Sequence, residues 1–238
     1  MRAGLNTTQS SLSSLQDESL KLFTDLFGIQ KAAAYMVDSG SKMFSFKNCA
    51  LQPALQREYL EYFYRLDPFH PSNVEDKDTS VLRASDAIAL HRRKDNPYYS
   101  EFLSRWGIDD TIEIYLHSEG RIVAGLSLFL DEGDSELLSA DMKRIESLQK
   151  FLQFSIESYL DSPQRRNFEA VCDEYHLTAK ERVVLEQVIQ GLPHKSIANC
   201  LCCSLSTVKT HLQNIFEKMS VRSKAEIISL LYSQQSYH

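Results

Sequence analysis

Near the end of this 238-residue chain, Ser206, Lys209, Thr210, Gln213 and Asn214 fall at spacings that bring them together on one side of a helix. Val208, Leu212, Ile215, Phe216 and Met219 occupy the other side, within an arc of about 100°. The apolar side is core. The polar side offers hydroxyls, amides and one cation near the helix start, which are the groups that read base edges and touch phosphates. A second set lies at Tyr59, Tyr62, Phe63 and Leu66, spaced i, i+3, i+4, i+7 and followed by Asp67-Pro68. An aromatic face next to a carboxylate suits a small-molecule pocket, with Asp67 accepting a hydrogen bond from a ligand amide. The same spacing is also that of ordinary core, with Asp67 capping the turn before Pro68. Cys200, Cys202 and Cys203 with His194 and His211 invite a zinc reading, but zinc ligands come as spaced pairs and adjacent cysteines rarely converge on one ion. They read better as small buried hydrophobes, and no metal is expected.

A helix that reads DNA needs neighbours to hold it. Thr178-Ala179-Lys180-Glu181 is a capping box that opens a helix bearing Val184, Leu185 and Val188, and Gly191 stops it. Pro193 opens a short helix with Ile197, Ala198 and Leu201 on one face. Cys202-Cys203 then make a tight connection to Ser204, an N-cap. Ser223-Lys224-Ala225-Glu226 starts a last helix carrying Ile227, Ile228, Leu230 and Leu231. Two short helices joined by a tight turn, the second polar outside, form a helix-turn-helix that can set its second helix in the major groove.

Leu177-Thr178-Ala179-Lys180-Glu181, Gly191, Ile197-Ala198, Leu201, Ser204, Thr207-Val208-Lys209-Thr210-His211, Ile215 and Lys218 together closely resemble the DNA-binding domain of LuxR-type transcriptional regulators. The resemblance covers a little over the last quarter of the chain, and departs from the family's habit at Ser196 and Cys202. It implies a double-stranded DNA operator as partner, with Lys209, Thr210 and Gln213 facing bases or nearby phosphates. Thr207, His211 and Asn214 would anchor the DNA backbone. More faintly, the aromatic helix ending at Asp67-Pro68 and the hairpin Gly120-Arg121-Ile122-Val123-Ala124-Gly125 resemble the ligand-binding domains that precede this module in the family. That implies a small-molecule effector, with Tyr59, Tyr62, Phe63, Asp67 and Trp106 as candidate contacts. The aromatic positions of the family's lactone receptors are held here by Ala54, Glu58 and Leu82.

Charge follows the same division. The chain carries a net charge of −6. Residues 1–162 hold 17 Lys/Arg against 25 Asp/Glu and residues 163–238 hold 9 against 7, while Glu217 alone opposes the five basic residues from Lys195 to Lys224. A locally basic end behind an acidic front places phosphate contact at the end. Composition is that of a globular protein: 43% hydrophobic, 24% charged, eight Gly and six Pro. No apolar run reaches the ~18 residues of a membrane span and the N-terminus lacks an apolar signal core, so a cytoplasmic protein with reduced thiols and no membrane partner is expected.

The front part mixes helix and strand. A helix is predicted near Leu12 to Phe27, strands at residues 33–37 and 43–46, the aromatic helix from Pro53 to Leu66, and a hairpin of residues 111–116 and 122–130. Ser139 is read as the cap of a long helix whose stripe runs from Met142 to Tyr159. The fold expected is an α+β N-terminal sandwich, an antiparallel sheet of four or five strands flanked by helices, followed by an all-α helix-turn-helix domain. Polar residues with Pro163 mark a linker at 163–172, between a sensing or dimerisation domain over 1–162 and the DNA-binding domain over 173–238. The function expected is a sequence-specific transcriptional regulator controlled by a small molecule and acting as a homodimer. The alternative gives the front domain interaction or dimerisation alone. No phosphate loop or paired nucleophile and base stands out, so neither enzyme activity nor a cofactor is expected. A phosphorylated receiver domain is disfavoured because the first strand ends at Asp38-Ser39-Gly40 without the acidic pair such domains need.

Overall fold

The computed structural model describes residues 10–38, 40–74, 78–132, 134–201 and 203–233; Ser39 and Cys202 of the two predicted turns lie outside them. The chain divides into one unit of Ser14–Ile156 and another made chiefly of Glu157–His238. The first begins with α1 (Ser10–Phe27), which buries Leu20, Phe23 and Phe27. A hairpin follows, of β1 (Lys31–Val37) and β2 (Met43–Cys49). Then come α2 (Pro53–Glu61), β3 (Val81–Arg83), α3 (Ala84–Ala87), α4 (Leu90–Asp95), β4 (Asp110–Ser118), β5 (Arg121–Leu130) and α5 (Asp134–Leu160). The strands make one five-stranded antiparallel sheet in the order β2-β1-β5-β4-β3.

Register sorts the sheet's side chains onto two faces. Ala34, Leu126 and Ile114 share one row, and the next row, Tyr35, Gly125 and Tyr115, points the other way. In β4 every position from Asp110 to Leu116 is buried, so both faces are covered. α5 is tied to β4 by side-chain amides: Gln149 Nε2 donates to the Tyr115 carbonyl (3.0 Å), and Gln153 both accepts from the His117 amide (2.8 Å) and donates to its carbonyl (2.7 Å). Gly125 is required by a close approach. A Cβ there would lie 2.4 Å from the Tyr35 hydroxyl and 2.5 Å from Tyr35 Cζ.

Two elements differ from expectation in this unit. The aromatic helix ends at Glu61, because Tyr62 leaves helical geometry (φ −139°, ψ −56°) before a 3₁₀ turn at Phe63–Arg65. The axis changes there, so Tyr59 and Phe63 face inward while Tyr62 is 55% exposed. α5 begins at Asp134, placing Ser139 inside the helix rather than at its cap. Residues 71–109, where the sequence pattern marks no element, contain β3, α3, α4, a π-helical turn at Tyr98–Leu103 and a 3₁₀ turn at Ser104–Trp106.

The second unit is helical: α6 (Pro163–Glu174), α7 (Ala179–Ile189), α8 (His194–Cys200), α9 (Leu205–Lys218) and α10 (Lys224–Ser233). Residues 163–172 are helix, not linker. Ser162 is the N-cap, its hydroxyl accepting from the Arg165 amide (3.2 Å), and Pro163 sits in the first turn, where its missing N–H costs nothing. α6 joins the core through Val171 and Cys172, and Arg182 on α7 holds Glu169 (2.8 Å) and Asp173 (2.5 Å).

Replacing Gly125 by alanine is expected to destabilise the first unit by about 1–3 kcal/mol, because the buried Tyr35 ring must shift. Urea unfolding followed by fluorescence of Trp106, the chain's one tryptophan, reads this unit selectively. An unchanged midpoint would mean that the ring moves aside freely.

Candidate nucleic-acid interface and ligand pocket

The helix-turn-helix is α8, a tight turn and α9. α7 is set by its full capping box: Thr178 Oγ1 accepts from the Glu181 amide (3.4 Å) while Glu181 Oε2 accepts from the Thr178 amide (2.8 Å). The same Glu181 oxygen accepts from Lys218 Nζ at the far end of α9 (2.7 Å). These bonds hold the Glu181 carboxyl below the usual carboxylate range against the opposing effect of burial. Gly191 ends α7 at φ +88°, a left-handed conformation that glycine adopts without strain. α9 is started by Ser204, whose Oγ accepts from the Thr207 amide (3.1 Å), and it buries Val208, Leu212 and Ile215.

Ser206, Thr207, Lys209, Thr210, Gln213 and Asn214 are exposed on α9, and His211 is half-buried. Lys209 has no ion-pair partner among the described residues. Thr210 donates its hydroxyl proton to the Ser206 carbonyl (3.1 Å), leaving its oxygen as an acceptor, and Gln213 Nε2 donates to Glu217 (3.1 Å). Leu205, 43% exposed at the helix start, adds an apolar contact that sequence reading did not single out. Lys218, by contrast, is committed to Glu181 and the His176 carbonyl (3.1 Å), so it positions α9.

In the first unit a pocket opens between the Tyr35 face of the sheet and the α2 side, with about 500 Å³ of unfilled space counting its mouth. Tyr35, Tyr59, Asp67, Tyr98, Phe102 and Ser127 are among its lining. The π-helical turn presents Tyr98 and Phe102 together, their rings 5.7 Å apart, and Tyr59 lies 6.1 Å from Phe102. Asp67 Oδ1 accepts from the Phe69 amide and Oδ2 from the Tyr59 hydroxyl, each at 2.8 Å. The loop after it is pinned by Tyr115, whose hydroxyl donates to the Phe69 carbonyl (2.7 Å). Ser127 Oγ donates to Glu113 (2.6 Å), a second buried carboxyl on the same sheet face.

The profile of the family described as "Bacterial regulatory proteins, luxR family" matches residues 175–231, which run from the end of α6 into α10. The "Monoamine regulon transcriptional regulator" of Klebsiella aerogenes is 32% identical over 210 residues, covering 88% of this chain and 87% of that protein. The chain belongs to the luxR family. It is a LuxR-type DNA-binding transcriptional regulator. The nitrate/nitrite response regulator protein NarP of Escherichia coli (strain K12) is 34% identical over 107 residues, covering 44% of this chain and 48% of that protein. Among solved structures, the VqsR LBD domain from Pseudomonas aeruginosa is 15% identical with a TM-score of 0.45, covering 63% of this chain and 94% of that one.

Of the predicted pocket contacts in this LuxR-family chain, Tyr59 and Asp67 line the space. Phe63 and Trp106 belong to the aromatic core beside it, and Tyr62 points outward because the helix breaks there. Among the described residues no group of three or more His, Cys, Asp or Glu is placed to hold a metal ion, and no helix is long and apolar enough to cross a membrane.

Glu113 is the site residue that the sequence did not flag. Burial pushes its carboxyl up to about 8, with the neighbouring Asp67 charge adding to the effect. Asp67 is pushed up to about 6 by burial, against the hydrogen bonds it accepts from the Phe69 amide and Tyr59. Between its ordinary and its raised value such a group binds more protons folded than unfolded, so this contribution to stability is fullest below about pH 4 and falls as pH rises through 6 and then 8. The urea midpoint reported by Trp106 should therefore be higher at about pH 5 than at about pH 8, and Glu113→Gln should flatten the upper part of that slope. A midpoint rising steadily from pH 5 to pH 8 would contradict this.

Proposed function

We propose that this regulator reads a two-fold symmetric operator as a homodimer, under the control of a small molecule held in the pocket of its first unit. The observation that carries the reading is the pocket itself: a space between sheet and aromatic cluster with a buried carboxylate on its wall, in a chain that also carries a DNA-binding module. Residues 173–238 serve as the DNA-binding domain with α6 as its N-terminal addition, and residues 1–162 as the sensing domain. Ser206, Lys209, Thr210 and Gln213 face bases and nearby phosphates, Thr207, His211 and Asn214 hold the backbone, and Leu205 suits a thymine methyl. The reading calls for no catalytic step or cofactor, and places the protein in the cytoplasm with its DNA.

A single helix-turn-helix reads few base pairs, and a second linked copy makes the next contact effectively intramolecular. The apolar stripes of α10 and α5 are mostly used within the fold. Ile227 and Leu231 of α10 are core, and Ile145, Leu152 and Ile156 of the α5 stripe are buried. α5 instead exposes Phe151 (61%) and Phe154 (67%), one turn apart, and this pair is the better candidate for a self-matching patch. It also favours the second reading, in which the first unit serves dimerisation without a ligand.

Selection of sites from random duplex DNA by the full chain is expected to yield a palindromic consensus. Lys209→Ala should weaken binding to that site without unfolding the domain. A base contact costs about 1–3 kcal/mol and relaxes one position, whereas a phosphate contact weakens all sequences alike. Unchanged affinity would remove Lys209 from the interface. Light scattering on a Phe151→Glu/Phe154→Glu variant should show dissociation together with weaker operator binding, and a folded monomer of full affinity would overturn the dimer.

A further inference from the structure

The chemistry of the pocket wall narrows what it can hold, given the reading above that it is a ligand site. Its buried charged group is Asp67, an acceptor. Tyr59 has given its hydroxyl proton to Asp67, so its oxygen keeps lone pairs but no free proton, and Ser127 shares a proton with Glu113. Asp67 accepts from the Phe69 amide and the Tyr59 hydroxyl, and the His70 amide and the Tyr98 hydroxyl are also turned toward it. No Lys, Arg or His forms an ion pair with Asp67 or Glu113 among the described residues, although a buried carboxylate is costly without one. Lys47, a cation in the pocket lining, is paired with Asp17, and the Asn48 amide donates to Gln56 Oε1 (3.2 Å). Around these acceptors stand the rings of Tyr35, Tyr59, Tyr98 and Phe102, whose faces attract cations.

We propose that the pocket binds an organic ammonium ion with an apolar or aromatic body, its charge against Asp67 and its body among those four rings. An ammonium brings up to three donors and the missing positive charge to Asp67. A carboxylate would add to the negative charge there, and a ligand presenting only carbonyls would leave it uncompensated. A neutral amide N–H would satisfy one lone pair and leave the charge in place.

The test is calorimetry on the full chain with four probes: 2-phenylethylamine, its neutral isostere 2-phenylethanol, 3-phenylpropanoate, and N-hexanoyl-homoserine lactone. The amine is expected to bind at least tenfold more tightly than the alcohol or the lactone, with the propanoate silent. Asp67→Asn keeps an acceptor for the Phe69 amide and removes the charge, so it should erase the preference for amine over alcohol while sparing the alcohol. A merely structural role would lower both alike. Should that variant not fold, Ser127→Ala is expected to weaken the amine several-fold more than the alcohol, and equal losses would count against the proposal. Alcohol or lactone binding as tightly as the amine would overturn the ammonium assignment and leave the ligand site standing. Silence of all four probes would overturn both.

Discussion

Burying a carboxyl group is among the costlier things a small domain can do, and the first unit is organised around having done so at Asp67. The Phe69 amide and the Tyr59 hydroxyl offset part of the cost, and to supply them α2 must end where it does and the loop must turn back at Pro68. Tyr115 then fastens that loop to the sheet through the Phe69 carbonyl, and Asn96 fastens Leu66 to the segment that enters the π-helical turn. Tyr115 is placed by the row it shares with Gly125 and Tyr35, and that row closes only because Gly125 has no side chain. One desolvated carboxylate thereby connects the helix break, the loop, the π-helical turn and the sheet register. A wider helical turn is a strained feature often found at functional sites, and here it delivers two aromatic rings to the same wall.

The second unit solves a different problem, that of holding a short recognition helix rigid while leaving its outer face unoccupied. Glu181 does most of this with one side chain. It closes the capping box of α7 and receives Lys218 from the end of α9, so the first helix of the domain and the last turn of the recognition helix share an anchor. Spending Lys218 internally leaves Lys209 as the cation on the exposed face, together with hydroxyls and amides whose protons are partly committed to the helix itself. A face of this kind offers hydrogen-bonding groups more than charge. That is compatible with a chain of net charge −6 whose basic residues are confined to one stretch.

The sequence by itself determined the elements whose signals are local. Capping boxes at Thr178 and Ser223, the Ser204 cap, the stop at Gly191 and the strand alternation around Ile112 and Ile114 each depend on residues within a turn or two. The helices and strands they announce are present. The exposed side of α9 was legible for the same reason, since a stripe of core residues fixes what must face away from it. Only the tertiary structure decided the rest. Glu113 alternates with Ile112 and Ile114 and so reads as the wet face of a hairpin; that face is instead covered by segments between residues 53 and 106, and the carboxyl is buried. Tyr62 belongs to the aromatic stripe by spacing and leaves it because the helix breaks at Tyr62, ending at Glu61 instead of Leu66. Pro163 reads as a breaker until Ser162 is seen capping a helix whose far end enters the core at Val171 and Cys172. In each case the sequence pattern reports local preference, whereas burial is settled by residues distant in the chain, and a carboxyl or a tyrosine carries no local mark of which neighbours will cover it.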